Sequence, residues 1–435
     1  MSTVPRACSG AVRPSFAYSS ITDRWPKIIT KIIDQMHQHH KESVNKFGTE
    51  GDADVKHIIH NLSRMRYLIT TDKPIEPFES DLPNTDKWNS DLKKFQDQLG
   101  EKNTTWYKVP WLFTECWMYR WIWQFYQETK HFKEYDPFQI EKEKGYFDSK
   151  AHLIALATEL SELVKKQLDK DTLKTAISRH IQVCLWGNKA DLSLSGGDPH
   201  FMSDTLFKEL HDLRKNILVD HIDLVRDYLI GLDGQQTVAI VLDNSGLEVF
   251  TDFCLAHLLV SQGLVSKVVF HGKAFPWYVS DVTFQDFQWI LNTTASSDDK
   301  YVAELGKAWK SYVDSGKFVW KSDDFYTFGL PYAEMPQRSP KLYKELRECA
   351  LTIFKGDLNG RKLIGDLDWP ETTPFKTSLR GFDINLVLFR TLKAETLSGL
   401  SEETYKKMVE KFEENKEWQV SSDYAIVQSH FISNN

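Results

Sequence analysis

Five short apolar runs, each closed by polar or charged residues and separated by helical stretches, constrain the fold of this chain most strongly. The clearest, residues 238–242 (Val-Ala-Ile-Val-Leu), is continuous, aliphatic and β-branched, as a strand buried on both faces should be. Further runs occupy residues 265–270, 318–320, 351–354 and 384–389. Helical spacing intervenes, as at Val249, Phe253, Ala256 and Leu259 after the first run. Strands alternating with helices predict an α/β fold, a Rossmann-like, mostly parallel sheet flanked by helices.

The first third of the chain reads differently. Ile28, Ile29, Ile32, Ile33 and Met36 recur at helical spacing behind Pro26, a residue suited to a first helical turn. Residues 111–126, dense in aromatics, suggest a buried helix, and Leu153, Ile154, Ala157, Leu160, Leu163 and Val164 suggest another. Residues 71–104, with several Pro, Asn and Asp, read as a long surface connection, and residues 204–230 as a helical stretch. The expected division is an N-terminal helical domain, residues 1–180, and an α/β catalytic domain, residues 181–435.

Composition narrows the class. With 41% hydrophobic and 26% charged residues, the 435-residue chain is neither disordered nor fibrous. A net charge of −7 lacks the basic footprint of a general nucleic-acid binder. The five cysteines are scattered, without CxxC or metal spacing, which suits a reducing compartment. No apolar run has the length of a membrane span, and residues 1–16 lack the apolar core of a secretion signal. The expectation is an intracellular, cytoplasmic protein with no nucleic-acid or membrane partner.

Ligands of open α/β sheets bind beyond the carboxyl ends of the strands, so the residues just after each run carry most of the functional information. The first run ends in Asp243-Asn244, the second leads to Lys273 and Asp281, the fourth to residues 355–361, and the fifth to Arg390 and Lys393. Asp243, Asn244 and Asp281 offer hard oxygen ligands suited to Mg²⁺ or Mn²⁺. Arg390 and Lys393 could hold a phosphate, while Asp357, Asn359 and Arg361 could bind sugar hydroxyls and phosphate. Each feature has a plainer reading: Asp-Asn-Ser-Gly is also a good turn, Ser245 and Glu248 fit a capping box, and Ser280-Asp281 could cap the next helix. His37, His39 and His40 read as a solvated helix face, and Ser195-Gly196-Gly197 is too short for a phosphate loop. No GxGxxG, GxSxG or Asp-x-Asp motif carries the chemistry.

Taken in order, residues 243–248 (Asp-Asn-Ser-Gly-Leu-Glu), 273–281 (Lys-Ala-Phe-Pro-Trp-Tyr-Val-Ser-Asp), 357–359 (Asp-Leu-Asn) and 390–393 (Arg-Thr-Leu-Lys) resemble the metal-dependent damage-control phosphatases, specifically their Arg-Thr-x-Lys subfamily. Residues 185–193 and the aromatic segment 115–120 are similar too, so the resemblance spans nearly the whole chain. It implies hydrolysis of small phosphorylated metabolites, sugar phosphates such as fructose 1-phosphate and fructose 6-phosphate, supported by Mn²⁺, Co²⁺, Ni²⁺ or Mg²⁺. By resemblance Asp243, Asn244 and Asp281 match catalytic and metal positions, and Asp243, Asn244, Asp357, Leu358, Asn359, Arg361, Arg390 and Lys393 match substrate positions. Gly360 departs from the aromatic implied there, so a contact beside the substrate is expected to be lost. The subfamily also contains a protein called acidic residue methyltransferase. That implies an alternative, an S-adenosyl-L-methionine-dependent protein carboxyl (glutamate) methyltransferase, with Glu248 and Asp281 matching cofactor positions.

Overall fold

The computed structural model describes residues 4–186, 208–413 and 415–432. The expectations for residues 187–193, for Ser195-Gly196-Gly197 and for the start of the 204–230 stretch lie outside the described residues. A seven-stranded sheet organises the chain: β1 (Ile217–Asp220), β2 (Thr237–Val241), β3 (Lys267–Gly272), β4 (Phe318–Ser322), β5 (Leu351–Lys355), β6 (Leu386–Thr391) and β7 (Ala425–His430). The spatial order is β1-β7-β6-β5-β2-β3-β4, and every pairing is parallel except β6 with β7.

The five apolar runs became β2 to β6, within two residues of their expected starts. Two strands went unseen. The stretch expected to be helical up to residue 230 is broken by β1, which pairs with β7 before the helix Ile222–Ile230 begins. Both β1 and β7 are partly exposed at one end, so neither shows the continuous apolar run that marks a central strand. The expected surface connection is also corrected. It contains the helix Thr85–Leu99, which buries Trp88, Asp91 and Leu92 although its mean composition is polar.

Alternate residues of β2 feed two cores. Ala239 and Val241 face a core shared with Trp25, Trp106 and Trp117 of the N-terminal helices. Val238 and Ile240 face another, shared with the helices Lys150–Leu163, Lys170–Trp186 and Leu247–Ser261. A sheet covered on both faces leaves only its strand ends open to a ligand. The first long helix, Trp25–Thr70, bends at Gly48, where φ is 64° and a side chain would be strained. On the side of the first core, the helix Trp111–Gln127 is almost wholly buried, which explains its richness in aromatic residues.

Candidate functional site

Chain direction reverses its neighbour order between β2 and β5. From β2 the chain proceeds outward to β3 and β4, then returns to lay β5 on β2's other side. Such a switch point leaves a crevice at the carboxyl edge, because the connections leave it in opposite directions. Asp243 and Asn244 follow β2, and Gly356 and Asp357 follow β5, so both pairs meet there. Backbone pairing adds the loop after β3: Asn244 and Asp281 form an antiparallel bridge, Ser245 N donates to Ser280 O at 2.7 Å, and Val282 N donates to Asp243 O at 3.0 Å. Asp243, Asn244 and Asp281 are therefore brought together, held in register by main chain.

Side-chain bonds fix their orientations. Asn244 Nδ2 donates to Asp243 Oδ2 and to Glu248 Oε2, both at 2.8 Å, while Ser280 Oγ donates to Asn244 Oδ1 at 2.5 Å. Gly356, with φ of 83°, lets Asp243 rest on bare backbone; a Cβ there would lie 1.9 Å from Asp243 Oδ2. The helix Gly356–Ile364 starts at that point and turns its unpaired amides toward the crevice edge.

The family model for the damage-control phosphatase ARMT1-like domain matches residues 20–408. The chain belongs to that family. Damage-control phosphatase ARMT1 of Macaca fascicularis is 40% identical over 411 residues, covering 92% of this chain and 93% of that protein. The protein of the same name from Homo sapiens is 39% identical over the same coverage, and that of Danio rerio is 35% identical over 98% of this chain and 96% of that one. A crystal structure of a DUF89 family protein from Pyrococcus horikoshii aligns with a TM-score of 0.39 at 14% identity, covering 76% of this chain and 87% of that chain. As a member of this damage-control phosphatase family, the chain is an enzyme, a phosphatase with divalent-metal dependence.

The residues present fit a hard divalent cation. Burial, then Glu248 and Asp281, push the Asp243 carboxyl well above its ordinary range, and Lys393 and Lys273 offset only part of this. Burial raises Asp281 as well, against the opposing charge of Lys273. Asp281 Oδ2 accepts no well-aligned hydrogen bond, although Lys273 Nζ lies 3.0 Å away as an ion pair. Crowded, dry carboxylates of this kind are what a cation relieves. Among the described residues no three His, Cys, Asp or Glu gather at metal spacing, so the amide oxygen of Asn244 is needed to complete a third ligand.

The remaining expected residues divide into two groups. Lys393 is exposed, its backbone N–H donates to Asp357 Oδ1 at 3.2 Å, and its charge is felt at Asp243. Arg390 is buried behind it, with Nε on Asp357 Oδ1 at 2.9 Å and Nη1 on Thr396 O at 2.8 Å. Burial raises the Asp357 carboxyl, but the charges of Arg390 and Arg361, with the hydrogen bonds from the Arg390 side chain and the Lys393 backbone, hold it below its ordinary range. Asn359 and Arg361, by contrast, are committed to protein partners. Asn359 Oδ1 accepts from Tyr332 at 2.6 Å and its Nδ2 donates to Lys355 O at 2.8 Å. Arg361 binds Glu115 at 2.7 Å and Asp366 at 2.9 Å, and stacks 3.5 Å over Trp111. Leu358 packs in the core. Gly360 faces Arg390, whose Cδ would lie 2.5 Å from a Cβ, so here the place of a side chain is filled by the arginine stem.

Two expected caps are corrected. The helix Leu247–Ser261 has Gly246 at its N-cap and no side-chain cap bond, because Glu248 turns instead to Asn244 and Lys355. The next helix is capped by Thr283 with Asp286, a full capping box, which releases Ser280 and Asp281 for the crevice. Sequence reasoning missed Lys355, Asp252 and Glu115 as partners of the site. The signals were a lysine ending an apolar strand, Glu248 and Asp252 one turn apart on an apolar helix, and Glu115 inside an aromatic one.

Glu115 anchors the loop that carries Asp281. Tyr278 Oη donates to Glu115 Oε2 at 2.9 Å, and its ring stacks on Tyr119 with centroids 4.7 Å apart. Tyr278 and Val279 have φ of 46° and 69°, and a β-branched residue there is strained. The strain sits two residues before Asp281, where tight anchoring of the tyrosine keeps the loop in this conformation.

Proposed function

We propose that the crevice hydrolyses small sugar phosphates, fructose 1-phosphate and fructose 6-phosphate among them, with Mn²⁺, Co²⁺, Ni²⁺ or Mg²⁺ held by Asp243, Asn244 and Asp281. The observation that carries this reading is the convergence of two under-compensated buried carboxylates and an oriented amide at the sheet's switch point. A bound divalent cation supplies phosphate charge neutralisation and a more acidic water.

The chain's own residues do the rest. The exposed Lys393 ammonium, beside Asp243, is placed to hold a phosphate oxygen, and the amides opening the helix Gly356–Ile364 offer donors to another. Asp357, kept ionised by Arg390, is an acceptor for sugar hydroxyls. Asn359 and Arg361 shape the wall from behind, through Tyr332 and through Glu115 and Asp366. Glu248 has both carboxylate oxygens engaged, by Asn244 at 2.8 Å and Lys355 at 3.0 Å, which leaves neither idle for a methyl-donor cofactor.

Phosphate release should be measured from a panel of sugar phosphates, using metal-free protein given each cation in turn. Metal-dependent release is expected, and Asp243→Ala should lower it at least ~10³-fold, about 4 kcal/mol of transition-state stabilisation. Undiminished release by a folded Asp243→Ala protein would sink the assignment.

A further inference from the structure

A buried ion bridge lies directly behind Asn244. Lys355, the last residue of β5, is 1% exposed, and its Nζ donates to Glu248 Oε1 at 3.0 Å and to Asp252 Oδ1 at 2.8 Å. Glu248 and Asp252 stand one turn apart on the helix Leu247–Ser261, whose other buried residues are mostly apolar. The lysine thus ties that helix to the strand on β2's other side, and it fixes the rotamer of Glu248. The second oxygen of Glu248 then faces Asn244 Nδ2.

The consequence is chemical. Asn244 has an oxygen end and an NH₂ end of nearly the same shape. Two carboxylate oxygens, Asp243 Oδ2 and Glu248 Oε2, can be faced only by the NH₂ end. Ser280 Oγ also donates to Asn244 Oδ1 at 2.5 Å, but a hydroxyl can donate or accept and so serves either end of the amide. Removing the hold on Glu248 therefore removes one of the two contacts that only the NH₂ end can make. The amide could then turn its NH₂ toward the crevice, where it would repel a cation.

We propose that Lys355 is a positioning residue for the metal site: clamped by Asp252, it holds Glu248 so that Asn244 presents its oxygen rather than its nitrogen to the cation. This rests on the reading of Asp243, Asn244 and Asp281 as the metal ligands. Carboxylates behind a first ring of ligands typically change metal affinity or activity by roughly 10–100-fold when lost.

The test is a Mn²⁺ titration of the full chain, read as the rise in Tm, together with the Mn²⁺ dependence of phosphate release. Lys355→Met leaves two buried carboxylates facing each other and could fail to fold, so it is paired with Lys355→Met/Asp252→Asn, in which the charge loss is balanced. In the double variant the Mn²⁺ concentration for half of the Tm rise should increase roughly 10–100-fold, while kcat at saturating Mn²⁺ stays within about threefold of wild type. A purely structural lysine would lower Tm and leave that half-saturation unchanged. A folded double variant with wild-type Mn²⁺ half-saturation therefore overturns the proposal. Should the unsubstituted protein show neither a Tm rise nor hydrolysis with Mn²⁺, the metal reading fails first, and that result is visible before any variant is made.

Discussion

Asp243 and Glu115 are both buried carboxylates, and their surroundings push them in opposite directions. Around Asp243 burial comes first and is reinforced by Glu248 and Asp281, and the neighbouring lysines offset only part of this, so its carboxyl is raised. Around Glu115 stand Arg24, Arg361 and the Tyr278 hydroxyl, and these charges overcome burial and lower it. A short contact from Arg24 Nη2 and a bond from Trp25 Nε1 at 3.2 Å complete its shell. The lesson is one of division of labour. Charge is satisfied at the junction between the N-terminal helices and the sheet, where stability is set. It is left unsatisfied at the crevice, where a cation and a phosphate are to be received.

Removing the cation is the largest way to break this contrast. Chelation should abolish hydrolysis while leaving the circular dichroism spectrum intact, since both cores are built of apolar side chains that include none of the proposed ligands; loss of fold on chelation would mean the cluster is structural.

Next in size, Glu115→Gln should destabilise the protein by about 3 kcal/mol in denaturant unfolding, because Arg361 keeps its charge in the interior with one partner fewer. The same group sets a pH dependence. A carboxylate lowered by folding adds stability that is complete above its unfolded value of about 4.3 and is lost as pH falls below it. Wild-type protein should therefore lose stability on the acid side of that value, and Glu115→Gln should flatten this limb. An unchanged acid limb in the variant would assign it to other carboxylates, Asp357 foremost.

Tyr278→Phe, which deletes one hydrogen bond to a buried charge, should cost about 1.5–3 kcal/mol. Because the tyrosine restrains a strained backbone next to Asp281, phosphate release should fall even where the variant is fully folded. Activity unaltered at full folding would show that Val279 and Ser280 hold the loop unaided.

The smallest effect is the most diagnostic. Asp243→Asn relieves like-charge crowding, so the metal-free protein should be as stable as wild type or more stable by about 1 kcal/mol, while the Tm gain from Mn²⁺ disappears. A marked loss of metal-free stability would show Asp243 to be as well compensated as Glu115, and the contrast would fail.

Much of the fold is legible in the sequence. Residues 238–242, 265–270 and 351–354 announce parallel strands because a strand buried on both faces must be apolar throughout. The polar residues behind them mark the reactive edge for the same reason, since only the strand ends reach solvent. β1 and β7 escape because edge and antiparallel strands tolerate polar residues, and the helix Thr85–Leu99 escapes because it buries only a narrow stripe.

The sequence by itself thus determined the α/β class, the family and the carboxyl edge at which Asp243, Asn244, Asp281, Asp357 and Lys393 gather. Those properties stem from local periodicity and from short ordered motifs. Tertiary structure alone decided which charged groups are free and which are spent. Arg361 pairs with Glu115 across 246 residues, and Lys355 with Glu248 across 107. Partners so distant leave no periodic trace, and burial, the factor that fixes the charge state of each, exists only once the layers have closed.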